Sequence, residues 1–171
     1  MKKMNRREFL TLTGAAVVAL SLAGCGAPSA PPAAPTGKEA KVLEAINKYR
    51  GALPPLTPDS GLDPAMEIVM KLTKGEMKFD EEAMKALAKA EAGYDGVCAP
   101  IGIAFDKDTG NMMPVCVYSE NAELMAQNLS LQVDEDTQER LKSASLIAIQ
   151  VFEYGGGKYW VALVAKGKVT P

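Results

Sequence analysis

The chain contains no histidine. That absence removes the commonest general base, the commonest zinc ligand and the one side chain that ordinarily titrates near neutral pH. Serine–histidine and cysteine–histidine catalysis are excluded by composition. No glycine motif of the phosphate-cradling kind occurs. A basic excess is also lacking: the net charge is −2, and because the first 24 residues set Lys2, Lys3, Arg6 and Arg7 against Glu8, the remainder carries −5. A mildly acidic domain has no electrostatic footprint for nucleic acid, and none is expected as a partner. The stretch Phe9–Ala23 is only 15 residues long, short of the ~20 needed to cross a hydrocarbon core. What is present is ordinary globular material, 47% apolar over 171 residues, enough for one domain with one real core.

Residues 1–24 read as an export segment and stand apart from the fold. Asn5-Arg6-Arg7-Glu8-Phe9-Leu10 resembles a twin-arginine signal, and Leu22-Ala23-Gly24-Cys25 resembles a bacterial lipobox. The resemblance implies that the Cys25 thiol receives a diacylglycerol and becomes the new N-terminus, so the membrane is a partner through that lipid. The expected location is the extracytoplasmic side of a bacterial cell membrane. Residues 25–37 then form a tether; GAPSAPPAAPTG, from Gly26 to Gly37, has no large apolar residue to bury. The globular domain is expected over 38–171.

The stretch Ser145–Ala165 organises that domain. Two apolar runs flank Gly155, Gly156 and Gly157, residues suited to the positive φ of a tight hairpin turn. In the first run Leu146, Ala148, Phe152 and Tyr154 share one side with Gln150, and Ile147, Ile149 and Val151 share the other. In the second run Tyr159, Val161, Leu163 and Ala165 alternate with Trp160, Ala162 and Val164. A half-wet strand alternates apolar with polar residues; a strand covered on both faces is apolar throughout. The hairpin is therefore expected in the middle of a sheet with helices on both sides.

Upstream, Val42, Leu43, Ile46 and Tyr49 make one stripe of a helix over Lys38–Arg50. Gly51–Gly61 reads as a loop. Asp63-Pro64 reads as a cap and first turn of a helix to Lys74, stopped by Gly75, with Ala65, Ile68, Val69 and Leu72 inward. Asp80 caps a third helix, with Phe79 stapled to Met84 and Gly93 as its end. Val97–Phe105 and Met112–Tyr118 read as two strands. Ser119 caps a helix through Asn128, and Asp134 caps another through Lys142. The predicted order is α-α-α-β-β-α-α-β-β.

Val42–Leu62, VLEAINKYRGALPPLTPDSGL, resembles the opening of the CAP superfamily (cysteine-rich secretory, antigen 5 and pathogenesis-related proteins) in Asn47, Arg50, Leu53, Pro54, Pro55, Leu56 and Leu62. Ser119-Glu120-Asn121 is similar to that family's Gly-Glu-Asn motif, and Ala148-Ile149-Gln150-Val151 with Tyr159-Trp160-Val161 to its last two strands. The resemblance implies a three-layer α-β-α sandwich with a central, mainly antiparallel sheet. The family's metal-holding cleft of two histidines and two acids cannot exist in a chain without histidine. No metal site, catalytic residue or cofactor is therefore expected. Glu120 and Asn121, with Pro54 and Pro55, would border what remains of the cleft, and the implied role is binding of a small apolar ligand or an envelope component. A carboxylate-dependent envelope hydrolase, with Glu120 paired to Glu123 or Glu67, is the alternative of another class. A purely structural envelope lipoprotein is a third.

Other motifs are quieter. Cys98 and Cys116 remain after lipidation. A hairpin centred on Lys107 and Asp108 sets them roughly opposite in an oxidising compartment, so a disulfide is expected ahead of two free buried thiols or a reactive cysteine. Asp106-x-Asp108-x-Gly110 reads as a turn because it lacks the spacing of a calcium loop. Asp134, Glu135, Asp136 and Glu139 read as an acidic helix start. Met66, Met70, Met77, Met84, Met112, Met113 and Met125 read as adaptable core filler; a pliable apolar pocket, or a soft-metal site on Met66 and Met70, is the sharper alternative.

Overall fold

The structure, a computed structural model, describes residues 35–95, 98–106 and 111–169. The export segment, Cys25, the tether as far as residue 34, and Lys107, Asp108 and Gly110 of the turn lie outside the described residues.

The first helix, α1 (Gly37–Arg50), buries Val42, Ala45 and Ile46 and half-buries Leu43 and Tyr49, the stripe its spacing predicts. The loop that follows contains a strand the sequence does not announce, β1 (Thr57–Pro58). Two residues carry no readable period, and proline is tolerated there because β1 is an edge strand. A 3-10 turn (Ser60–Leu62) leads into α2 (Asp63–Thr73). Asp63 does not cap it: its own φ of −58° and ψ of −40° are helical. Leu62 stands at the N-cap of α2 with no side-chain cap bond, and Asp59 caps the 3-10 turn before it, accepting from the Gly61 N–H at 3.1 Å. In α3 (Glu81–Glu91) Asp80 accepts from the N–H groups of Glu82 and Ala83, as predicted. Phe79 meets Phe105 edge-on, ring centroids 5.5 Å apart.

The predicted strand from Val97 to Phe105 is broken. After β2 (Tyr94–Asp95) come β3 (Ala99–Ile101) and β4 (Ile103–Phe105), and β4 pairs with β5 (Met112–Pro114) in a separate two-stranded sheet. The break is Gly102, at φ +87°, where a Cβ would lie 2.6 Å from the Trp160 carbonyl oxygen. Only glycine turns the chain there at no steric cost. Next are α4 (Ala122–Gln132) and α5 (Glu135–Ser143). Asn121, not Ser119, caps α4, accepting from Glu123 and Leu124; the Ser119 hydroxyl accepts from the Asn121 N–H at 3.1 Å. Asp134 caps α5 as predicted. The chain closes with β6 (Leu146–Tyr154), β7 (Gly157–Ala165) and β8 (Gly167–Lys168), which pairs with β2.

This is a mixed α/β fold with five helices among the described residues and a main sheet in the order β1-β6-β7-β3. All its pairings are antiparallel except β1 with β6. The β6–β7 register sets Ala148 opposite Leu163 and Ile149 opposite Ala162. Alternate residues of the hairpin feed two separate cores. Ile147, Trp160, Ala162 and Val164 join Val42 and Ile46 of α1, Met125 and Leu129 of α4 and Leu141 of α5. Ala148, Val161, Leu163 and Ala165 join Val69 and Leu72 of α2 and Leu87 of α3. Met66, Met70 and Met112 fill this second core and Met125 the first, while Met113 is exposed. No helix among the described residues is long and apolar enough to cross a membrane.

The expected disulfide is absent: Cys98 and Cys116 are free, buried thiols. The β4–β5 register sets Ile103 opposite Pro114, so the hairpin is not centred on Lys107 and Asp108. The kink at Gly102 sends the two residues to different cores, Cys98 with α2 and α3 and Cys116 with α1 and α4. Burial pushes both thiols up to about 12, with the Glu91 carboxylate adding to the effect on Cys98, which makes them poor nucleophiles.

Candidate functional site

Glu120 and Asn121 line an open hollow of about 420 Å³, together with Lys41, Glu44, Lys48, Ala122 and Glu123. The α1 side chains arrive there for a simple reason. Val42 and Ile46 point into the core, so Lys41, Glu44 and Lys48, spaced by three and four, stand together on the solvent side. Asn121 is fixed at the hollow because its carboxamide caps α4. Lys41 and Glu44 are joined at 3.4 Å, both about half exposed. The wall thus mixes two ammonium groups with three carboxylates.

Tyr118 stands beside this hollow. Its phenol oxygen is buried and reaches the Glu120 carboxylate. Burial first, and then the nearby carboxylates of Glu120 and Glu39, push its ionisation up to about 12. The Lys158 ammonium lies 5.8 Å from the ring centroid, within reach of a cation–π attraction. Lys41, Lys48 and Tyr118 were not singled out by sequence; the helical spacing of the lysines was the signal that could have found them.

Pro54 and Pro55 are exposed and are not among the walls of that hollow. Their loop is held by the residues that carry the family resemblance. Asn47 accepts from the Leu56 N–H at 3.1 Å. Arg50, only 8% exposed, donates to the Pro54 carbonyl at 2.5 Å and to the Ala144 carbonyl at 2.8 Å. Asn47 and Arg50 therefore act as braces between α1, the loop and the entry to β6.

A second hollow, of about 410 Å³, lies where β1 stops beside β6. Pro35, Thr36 and Glu39 form one wall, Pro58, Asp59, Ser60 and Asp63 the other, with Ile147, Ala148 and Ile149 between them. Asp59 is the fixed point. Its carboxylate accepts from Tyr94 at 3.1 Å and Gly61 at 3.1 Å, and pairs with Lys168 at 3.0 Å. Burial works to raise its pKa, but the hydrogen bonds from Lys168, Gly61 and Tyr94, with the Lys168 charge, outweigh it and leave the group below the usual carboxylate range. Asp63 is raised, by burial and then by the Asp59 charge.

The carboxylate pairs considered for hydrolysis do not converge. Glu67 sits on α2, exposed and bound to Lys71 at 2.7 Å, on the helix that covers the other core. Glu123 shares the hollow with Glu120, but both are exposed. The carboxyl that is strongly perturbed is Glu91, pushed up to about 7 by burial against the opposing pull of the Cys98 N–H and the Arg140 charge. The charge acting on it is a guanidinium, not the second carboxylate that an acid–nucleophile pair needs. Among the described residues no group of three metal-ligating side chains is positioned to hold an ion. No protein-family model, curated protein or solved structure matches the chain.

Proposed function

We propose that the chain is an extracytoplasmic lipoprotein, anchored through a lipid on Cys25, whose domain is a non-catalytic binding module of CAP-like, three-layer α-β-α design. The separate destinations of alternate hairpin residues support the layered reading, with α1, α4 and α5 over one core and α2 and α3 over the other. The observation that carries the binding role is the open, mixed-charge hollow beside Glu120, which has no buried carboxylate in its wall. A hydrolase would need two convergent carboxyls of unlike pKa. The ligand expected there is small, with polar groups to meet Lys41, Lys48 and Asn121.

The test is native mass spectrometry of the chain purified from its host membrane. A retained small molecule that is lost in Glu120→Ala supports the reading. If nothing is retained, and Glu120→Ala alters no binding, the hollow is only surface. The anchor is tested separately: the mature protein should weigh more by a diacylglyceryl group, and Cys25→Ser should release it from the membrane fraction.

A further inference from the structure

The strand beside β6 is much shorter than β6 itself. β1 pairs only with Leu146 and Ile147. Its last bond runs from the Asp59 N–H to the Ile147 carbonyl at 2.9 Å, and the chain then turns away into the 3-10 turn. The carbonyls of Ser145 and Ile147 both face β1. Peptide groups of a strand point alternately to its two sides, so the N–H and C=O of Ile149, Val151 and Glu153 face the same way. Among the described residues no strand meets them. On its other side β6 is paired with β7 through to Tyr154 without a break in register. Natural sheets blunt such an edge with charged side chains, proline or a bulge; the open stretch of β6 has Glu153 near its turn end and neither proline nor bulge.

The second hollow opens on this edge. Its walls hold the carboxylates of Glu39, Asp59 and Asp63 and, among the described residues, no lysine or arginine. Lys168 satisfies Asp59. Glu39 and Asp63 form no ion pair among the described residues, and Asp63 is raised by burial and then by the Asp59 charge, the second of which an added cation would offset. We infer that the open edge of β6 takes an extended peptide segment bearing lysine or arginine, which adds as a strand and directs its cation into the hollow beside Glu39 and Asp63. Main-chain bonds to an exposed edge supply affinity in such docking, and pockets for alternate side chains supply selectivity. A second copy is the poorer occupant, because the free stretch Ile149–Tyr154 offers Glu153 and no cation to these carboxylates. This hollow shares no lining residue with the one beside Glu120, and the docking does not depend on a ligand there.

The experiment uses the full chain in detergent and a fluorescein-labelled nonapeptide of alternating threonine and lysine, with a counterpart carrying glutamate for each lysine. Fluorescence anisotropy should show saturable binding of the lysine peptide and binding about tenfold weaker, or more, for the glutamate peptide. Glu39→Lys should weaken the lysine peptide by about tenfold. Val151→Pro deletes an N–H on the open side and leaves the ladder to β7 intact, so it should weaken binding comparably with an unchanged far-ultraviolet circular dichroism spectrum. If Val151→Pro disturbs the fold, Glu39→Lys and slower amide exchange at Ile149 and Val151 in the presence of peptide decide the matter. No saturable binding of the lysine peptide overturns the inference. So does equal binding of the two peptides, or a dimer that Val151→Pro abolishes, which would give the edge to a second copy.

Discussion

The two ends of the β6–β7 hairpin have similar sequences and opposite fates. At the closed end, Ile147 is 1% exposed, Leu163 0% and Val164 2%. At the turn end, Val151 and Phe152 are half-buried and Tyr154 is 38% exposed. Apolar residues alternate through both ends, so the pattern alone calls for cover along the whole ribbon. The difference lies in the neighbours. β1 flanks only Leu146 and Ile147, and β3 flanks only Ala162–Val164. The chain is steered away from the sheet at two points, after Asp59 and at Gly102, and beyond them the ribbon is left to the 116–118 segment on one side and to no strand among the described residues on the other. Alternation tells which face a side chain takes, while the length of the flanking strands decides how much of that face stays dry.

The sharpest test of this contrast is a matched pair of truncations. Leu163→Ala should cost about 2–5 kcal/mol, and Tyr154→Ala, which loses mainly its edge-on contact with Tyr159 at 6.4 Å, under about 1 kcal/mol. Urea unfolding of both variants checks this, and equal losses would mean that the turn end is as well packed as the closed end. Glu91 lies under the closed end, beside Cys98 and β3. Its folded pKa of about 7 stands above the unfolded value of 4.5, so its contribution is full below pH 4.5 and is lost as pH rises through about 7, a change of about 3 kcal/mol. Glu91→Gln should flatten that slope and gain stability at pH 8, as read from thermal midpoints across the range.

The two steering points come next. Gly102→Ala forces a Cβ against the Trp160 carbonyl at a positive φ and should cost about 1–3 kcal/mol, with amide exchange in β3 and β4 rising first. Asp59→Asn weakens the pairing with Lys168 and the hydrogen bond from Tyr94, for about 1–2 kcal/mol. Because the Asp59 pKa is depressed, that contribution exists above its unfolded value of 3.8 and fades as pH falls through the lower folded value. The difference between wild type and Asp59→Asn should therefore shrink in acid, which a pH series of unfolding midpoints would read.

Much of the frame was legible locally. The α1 stripe, the Asp80 and Asp134 caps and the face assignment of all the paired hairpin residues follow from periods of 3.6 and 2 and from short polar side chains next to free N–H groups. The site was less so. The loop at Pro54 and Pro55 carries a recognisable motif, yet its Asn47 and Arg50 partners spend their hydrogen bonds on bracing. The hollow beside Glu120 is finished by Lys41 and Lys48, and the one at the β6 edge by Asp59 and Asp63, and each gathers residues from elements far apart in the chain.

The amino-acid order by itself determined the absence of histidine, the helices and the two-faced hairpin, because composition needs no fold and the rest depends on neighbours within a turn or two of chain. Only the tertiary structure decided that Cys98 and Cys116 part company, that Asn121 rather than Ser119 starts α4, and that one edge of β6 meets no further strand among the described residues. Those outcomes turn on a φ of +87° at one glycine and on where a two-residue strand stops. Such quantities are set by steric contact between distant segments and leave no period in the sequence to be read.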